Sequence, residues 1–284
     1  LKNTNTFSIP EGIKSYSTDI SGMTNIKKII IPASLTDIDP NKLPKSIESI
    51  EIKNGNKTLL YENGFLYNSS QTLIMCCSKE KDITVPEGIK TIGALSFKQA
   101  TNVENVVFPD SLVSIQDRVF EGASNIKRID IGKNVNNISP IFKRRNYNGV
   151  VNIDKENTNY VIENNILYKL NNGKKERLVA GLTENTNNIE ISKEVNIIGT
   201  NAFFGQKSMT QIIIPKGVTS IEGGAFSECS KLERVEIPNT VTDIANTAFS
   251  AESFNLSEII IHNKENSIAG APWGAAKGMK VVQW

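Results

Sequence analysis

The sequence predicts a repeat solenoid that is mostly β. Short strands stack in a parallel ladder, short helical or 3-10 turns lie on the convex side, and two β-hairpins are inserted. Three observations predict it. A strand-ending proline, or its substitute, recurs at intervals near 23 residues; six apolar positions recur within each interval; and two longer intervals resemble one another.

The interval comes first. Pro86, Pro109 and Gly132 are separated by steps of 23, as are Ser192, Pro215 and Pro238, with His262 a further 24 along. Pro10 and Pro32 are 22 apart, and Lys53 follows after 21. Counting the proline as zero, apolar residues fall at +3, +6, +11, +17, +20 and +22. From Pro215 these are Val218, Ile221, Phe226, Leu232, Val235 and Ile237; from Pro86 they are Ile89, Ile92, Phe97, Val103, Val106 and Phe108. The +20 and +22 residues lie two apart, so they share one face of a short strand. The proline after them cannot donate to a ladder and ends it. The +3 and +6 residues turn back over the same core, and the +11 Phe fills the space between rungs. Ala202-Phe203, Ala225-Phe226 and Ala248-Phe249 carry that step. One unit cannot bury its own apolar face, but stacked units can, with strands about 4.8 Å apart. Polar residues alternate with the inward ones in Arg128-Ile129-Asp130-Ile131 and Arg234-Val235-Glu236-Ile237, so the sheet packs on one face and meets solvent on the other.

The run I-P-x-x-V-x-x-I-x-x-x-A-F-x-x-x-x-x-L-x-x-I-x-I-P is followed almost letter for letter from Ile214 to Pro238, with Cys229 just before the Leu232 position. It resembles the BspA-like leucine-rich repeats of bacterial and some protozoan surface proteins, over nearly the whole chain. The resemblance implies a leucine-rich-repeat solenoid over 1–262 and an extracellular, cell-surface location. Gly132, Ser192 and His262 depart from the proline slot, which weakens the strand stop without moving the register.

Two segments lengthen the count, Lys53 to Pro86 and Asp154 to Ser192. Glu62-Asn63-Gly64-Phe65-Leu66-Tyr67 in one resembles Glu163-Asn164-Asn165-Ile166-Leu167-Tyr168 in the other. Each passes through a polar turn into a second apolar run, so each reads as an inserted β-hairpin, at about 54–84 and 155–190. Two larger blocks of similar plan follow, roughly 1–109 and 110–262. Residues 263–284 leave the pattern; Trp273, Met279, Val281 and Trp284 predict an aromatic C-terminal cap over the open end of the core.

Composition narrows the function. Among 284 residues, 32 Lys and Arg face 30 Asp and Glu, a formal net charge of +2. That is far from the concentrated basic face of a nucleic-acid binder. No run approaches the roughly 18 apolar residues of a membrane helix. A start at Leu1 suggests a piece of a longer protein, with any signal and anchor outside it. Cys76 and Cys77 are adjacent and Cys229 is separate, which is neither a disulfide framework nor a zinc spacing; all three read as small buried hydrophobes. There is no H-E-x-x-H, P-loop or G-x-S-x-G motif. His262 reads as a rim residue at a strand end, and Asp37-Ile38-Asp39 as a loop around a core Ile. No enzyme activity, cofactor or metal is expected.

The candidate binding face is the outward side of the ladder at +19 and +21: Lys28, Ile30, Val107, Arg128, Asp130, Ile213, Arg234, Glu236 and Ile260. Its aliphatic members are explained either by β-propensity or by an adaptable protein-binding surface. Lys143, Arg144 and Arg145 form a candidate basic loop, either simply solvated or a handle for an acidic partner. Three sequon-like triplets, starting at Asn56, Asn68 and Asn255, arise readily by chance in an Asn-rich chain. The expected function is a non-catalytic protein-binding or adhesion module of a secreted bacterial cell-surface protein. Its partner is a protein or glycan on host or neighbouring cells, and the chain is expected to be monomeric. The alternative is a rigid spacer, or the recognition domain of a separate surface enzyme.

Overall fold

A computed structural model describes residues 5–139, 149–182, 189–249, 255–262, 268–275 and 280–283. The chain divides into two compact units, Leu1–Ile141 with Gly149–Asp154, and Phe142–Asn148 with Lys155–Trp284.

In the first unit, parallel strands follow the expected period. Thr6–Ser8, Lys28–Ile31 and Ser49–Ile52 form one ladder, with Ile29 opposite Phe7 and Ile50. Asp82–Thr84, Asn105–Val107, Arg128–Ile131 and Val150–Ile153 form another, with Val106 opposite Ile83 and Ile129. Ile29, Ile31, Val106 and Ile129 are fully buried, the inward half of a period-two alternation. Strands end just before the proline slot, at Ile31 before Pro32 and equally at Ile131 before Gly132. The stop survives the loss of proline, and the bond to the next rung is the same in both cases: the Asp154 N–H donates to the Ile131 carbonyl and the Lys53 N–H to the Ile31 carbonyl, each at 2.9 Å.

A second parallel ladder runs along the chain at the +6 position, where only a turn is expected. Thr91–Ile92, Ser114–Ile115 and Asn137–Ile138 pair with Ile92 opposite Ile115 and Ile115 opposite Ile138; Ser15–Tyr16 and Asp37–Ile38 pair likewise. The first of these series begins on Thr72–Cys76, with Leu73 opposite Ile92. That strand is also the last of an antiparallel meander, Leu59–Glu62, Phe65–Asn68 and Thr72–Cys76. Asn63 (φ 50) and Gly64 (φ 87) form its first turn, both in the left-handed region that a two-residue hairpin of this hand requires.

The second unit repeats the plan. Gln211–Ile213, Arg234–Ile237, Glu258–Ile261 and Lys280–Gln283 form its ladder. Ile197–Ile198, Ser220–Ile221 and Asp243–Ile244 form the shorter one, joined to Lys174–Gly181 with Leu178 opposite Ile198. Lys174–Gly181 closes a meander with Tyr160–Glu163 and Ile166–Asn171. In both units the meander thus enters the short ladder through its last strand. The junction leaves no room for a side chain: the Gly93 and Gly199 N–H groups donate to the Leu73 and Leu178 carbonyls at 2.9 Å, and a Cβ on either glycine would stand 2.6 or 2.7 Å from that oxygen.

The core of the second unit is organised by Phe203, Phe226 and Phe249, whose rings stack at centroid distances of 5.5 and 5.2 Å and interplanar angles of 13° and 9°. Their N–H groups donate along the series, Phe203 to Ala225 and Phe226 to Ala248, each at 2.8 Å. Phe249 donates to the Trp273 carbonyl at 3.0 Å, and Trp273 is buried. The segment after residue 262 was expected to leave the pattern. Lys280–Gln283 instead continues the ladder in parallel, with Val281 opposite Ile259, because an aliphatic strand satisfies the ladder edge that an aromatic lid alone would leave open. Met279 and Trp284 lie outside the described residues.

Candidate functional site

The outward ladder positions are built by the same alternation that buries their neighbours. In the first unit Lys28 reaches Glu51 at 2.7 Å, Lys53 reaches the same carboxylate at 3.2 Å, and these bonds hold Glu51 below the usual carboxylate range. Ile30 stands between Ser8 and Glu51 and is half-buried. Further along, Arg128 Nε donates to Asp130 Oδ1 at 2.9 Å, and Asn152 Nδ2 donates to the same oxygen at 2.6 Å. The Asp130 bond raises Arg128 above its ordinary value. Val107 remains 40% exposed between Thr84 and Asp130.

In the second unit Ile213 is 63% exposed, the most open of the large apolar side chains among the described residues. Glu236 lies beside it and Ile260 beyond that. Ile260 departs from expectation: although it occupies an outward register position, it is 8% exposed. Glu236 flanks it on one side and Val282 of the final strand on the other, so it is not part of an open surface. Arg234 stands 3.7 Å from Glu236 and 3.6 Å from Glu258. The basic loop Lys143, Arg144 and Arg145 lies outside the described residues.

His262 is more than a strand end. Its imidazole Nε2–H donates to Glu236 Oε1 at 2.9 Å, and its backbone N–H donates to Ile237 at 3.0 Å. His262 also lines a groove of ≈ 430 Å³ at the ends of three successive ladder strands, together with Ile213, Ile214, Pro215, Lys216, Glu236, Pro238 and Asn239. Ile213 and Glu236 belong to the predicted face. Lys216, Pro238 and Asn239 were not singled out, although the row of proline slots at Pro215, Pro238 and His262 carries the signal.

The cysteine thiols are inaccessible. Burial pushes the Cys76 and Cys229 thiols up to about 12; Cys77 is also raised by burial, and its Sγ lies 3.6 Å from the Tyr61 hydroxyl. All three cysteines are free. Among the described residues no three His, Cys, Asp or Glu side chains cluster as a metal site, and no helix is long and apolar enough to cross a membrane. The sequon asparagines serve the fold: Asn56 Nδ2 donates to Pro32 and Leu35 carbonyls at 3.0 and 2.8 Å, while its Oδ1 accepts from Thr58 and Leu59. Asn68 accepts from the Thr72 N–H and Asn255 donates to the Ser230 carbonyl.

Comparison with known proteins agrees with this geometry. The family model described as the BspA type leucine rich repeat region (6 copies) matches residues 1–80, 69–175 and 181–271. The crystal structure of the pneumococcal vaccine antigen PcpA is similar with a TM-score of 0.61 and 18% identity, covering 92% of this chain and 73% of that one. A leucine-rich repeat protein from Eubacterium ventriosum is similar with a TM-score of 0.50 and 19% identity, covering 93% of this chain and 64% of that one. No curated protein sequence matches. At these identities the structural likeness speaks to the fold.

Proposed function

The chain belongs to the BspA-type leucine-rich repeat family, and on that premise we propose that it is a non-catalytic, protein-binding or adhesion module of a secreted bacterial cell-surface protein. One observation carries the reading. In each unit an outward ladder position presents an aliphatic side chain to solvent beside an ion pair, Val107 beside Arg128–Asp130 and Ile213 beside Arg234–Glu236. Apolar patches rimmed by charge are what protein partners cover. The likeness to a protein described as a pneumococcal vaccine antigen is in keeping with display at a cell surface.

The test is a Val107→Asp, Ile213→Asp variant assayed for capture of host-cell and matrix proteins. Both positions are exposed, so stability should move by about 0.5 kcal/mol or less, as surface substitutions do, while capture is lost. Capture at the parent level would overturn the assignment of binding to the ladder face.

A further inference from the structure

We propose that the groove beside Ile213 is a recognition site for an extended peptide segment that carries a branched aliphatic side chain followed by Asp or Glu. The proposal deepens the protein-binding reading and rests on it. Three features of the groove select this occupant. Its apolar part is the exposed Ile213 with the half-buried Pro215 and the buried Pro238; proline has no N–H, so this lining offers an aliphatic side chain contact without a donor left to satisfy. Its charges are unequally compensated. Glu236 is already held by His262 at 2.9 Å and stands 3.7 Å from Arg234, whereas Lys216 is exposed and makes no ion pair or hydrogen bond among the described residues. The ammonium available to a ligand therefore asks for a carboxylate. Finally, Asn239 contributes an amide with both donor and acceptor capacity, the complement of a peptide group. A volume of ≈ 430 Å³ lies in the range of clefts that hold small ligands, which suits one apolar and one acidic side chain.

The departure of His262 from the proline pattern builds the far wall. A proline there could not donate to Glu236, as the His262 imidazole does at 2.9 Å. The acidic side chain of the ligand then meets a lysine whose charge has not been spent on Glu236.

The experiment titrates the full chain, with isoleucine methyl groups labelled for NMR, using three probes: acetyl-Leu-Glu-amide, acetyl-Leu-Gln-amide and acetyl-Ala-Glu-amide. The first should shift the Ile213 methyl signal saturably, with a Kd on the order of 1 mM, and the other two should bind about ten-fold more weakly. Lys216→Glu should abolish the preference for Glu over Gln, and Lys216→Arg should keep it. Equal binding of the Glu and Gln probes, or no movement of Ile213, would overturn the site. The broader reading fails differently. If these peptides do not bind but Val107→Asp still removes capture of the protein partner, the ladder face stands and only the groove is lost.

Discussion

The two units solve one packing problem with different regularity. In the second, Phe203, Phe226 and Phe249 stack nearly parallel. In the first, Phe97 and Phe120 are tilted by 45° at 5.1 Å, and Phe108 meets them at 75° and 30°. The cause lies in the residues beside the rings. Each stacked Phe follows a buried Ala (Ala202, Ala225, Ala248), whereas Phe97 follows Ser96 and Phe120 follows Val119. Val119 is fully buried and takes the inward place, so Phe120 is left half-buried; Phe108 stands where the other repeats carry Ile or, at Val85, Val, and its ring lies beside those of Phe97 and Phe120. At Phe120 the bulk of Val119 takes the room that Ala202, Ala225 and Ala248 leave to the stacked rings.

The largest test of this contrast is truncation at the centre of the stack. Phe226→Ala should cost about 3–5 kcal/mol, read by denaturant unfolding, whereas Phe120→Ala should cost distinctly less because its ring is part-exposed. Equal losses would mean that ring order carries no energetic weight. Transplanting the first unit's choice is the next test. Ala225→Val should destabilise by about 1–3 kcal/mol through overpacking and should disturb the aromatic ring-current shifts of Phe226.

A third difference concerns charge. In the first unit the Ala94 N–H donates to Gln116 Oε1 at 3.0 Å; in the second the Thr200 N–H donates to Glu222 Oε2 at 2.9 Å. Burial pushes Glu222 upward, but the Arg177 bond at 2.7 Å and the Thr200 bonds outweigh it and hold it below its usual value. A depressed carboxylate contributes stability that is complete above its unfolded pKa, about 4.3, and is lost as pH falls through the folded value. Glu222→Gln should therefore lower stability near neutral pH by about 1 kcal/mol after solvent screening, with parent and variant converging in acid. A constant gap across pH would refute the ionic origin. The smallest effect runs the other way. Ser96 Oγ is buried without a hydrogen-bond partner among the described residues, so Ser96→Ala should stabilise by up to about 1 kcal/mol and bring the first unit nearer the second.

The long ladder was legible because its strands carry two inward residues at +20 and +22, enough to reveal an alternation. The short ladder was not, because a two-residue strand such as Ser114–Ile115 has one inward side chain, which a turn would bury equally well. The meanders were legible as antiparallel pairs, but not the entry of their third strands into that ladder, which depends on the Gly93 and Gly199 close approaches. On the candidate face, Ile213 and Glu236 were visible from their positions. The burial of Ile260 was not, since it depends on a final strand whose spacing the repeat does not announce. The groove assembles residues from three repeats, and only the departure at His262 hints at it.

Most of the polar links between side chains reach about one repeat along the chain: Lys127 to Glu104 and Ser220 to Asp243 each span 23 residues, and Thr200 to Glu222 spans 22. Lys98 reaches farther, to the Asn41 side chain across 57 residues, and Gln99 Nε2 donates to the Pro40 backbone carbonyl across 59. A gene encoding such a molecule is unusually tolerant of unequal recombination. Gaining or losing one whole repeat between Ser192 and His262 would present each remaining rung with a neighbour of the same kind, so the number of rungs in the second unit can change over generations without a new fold having to be found.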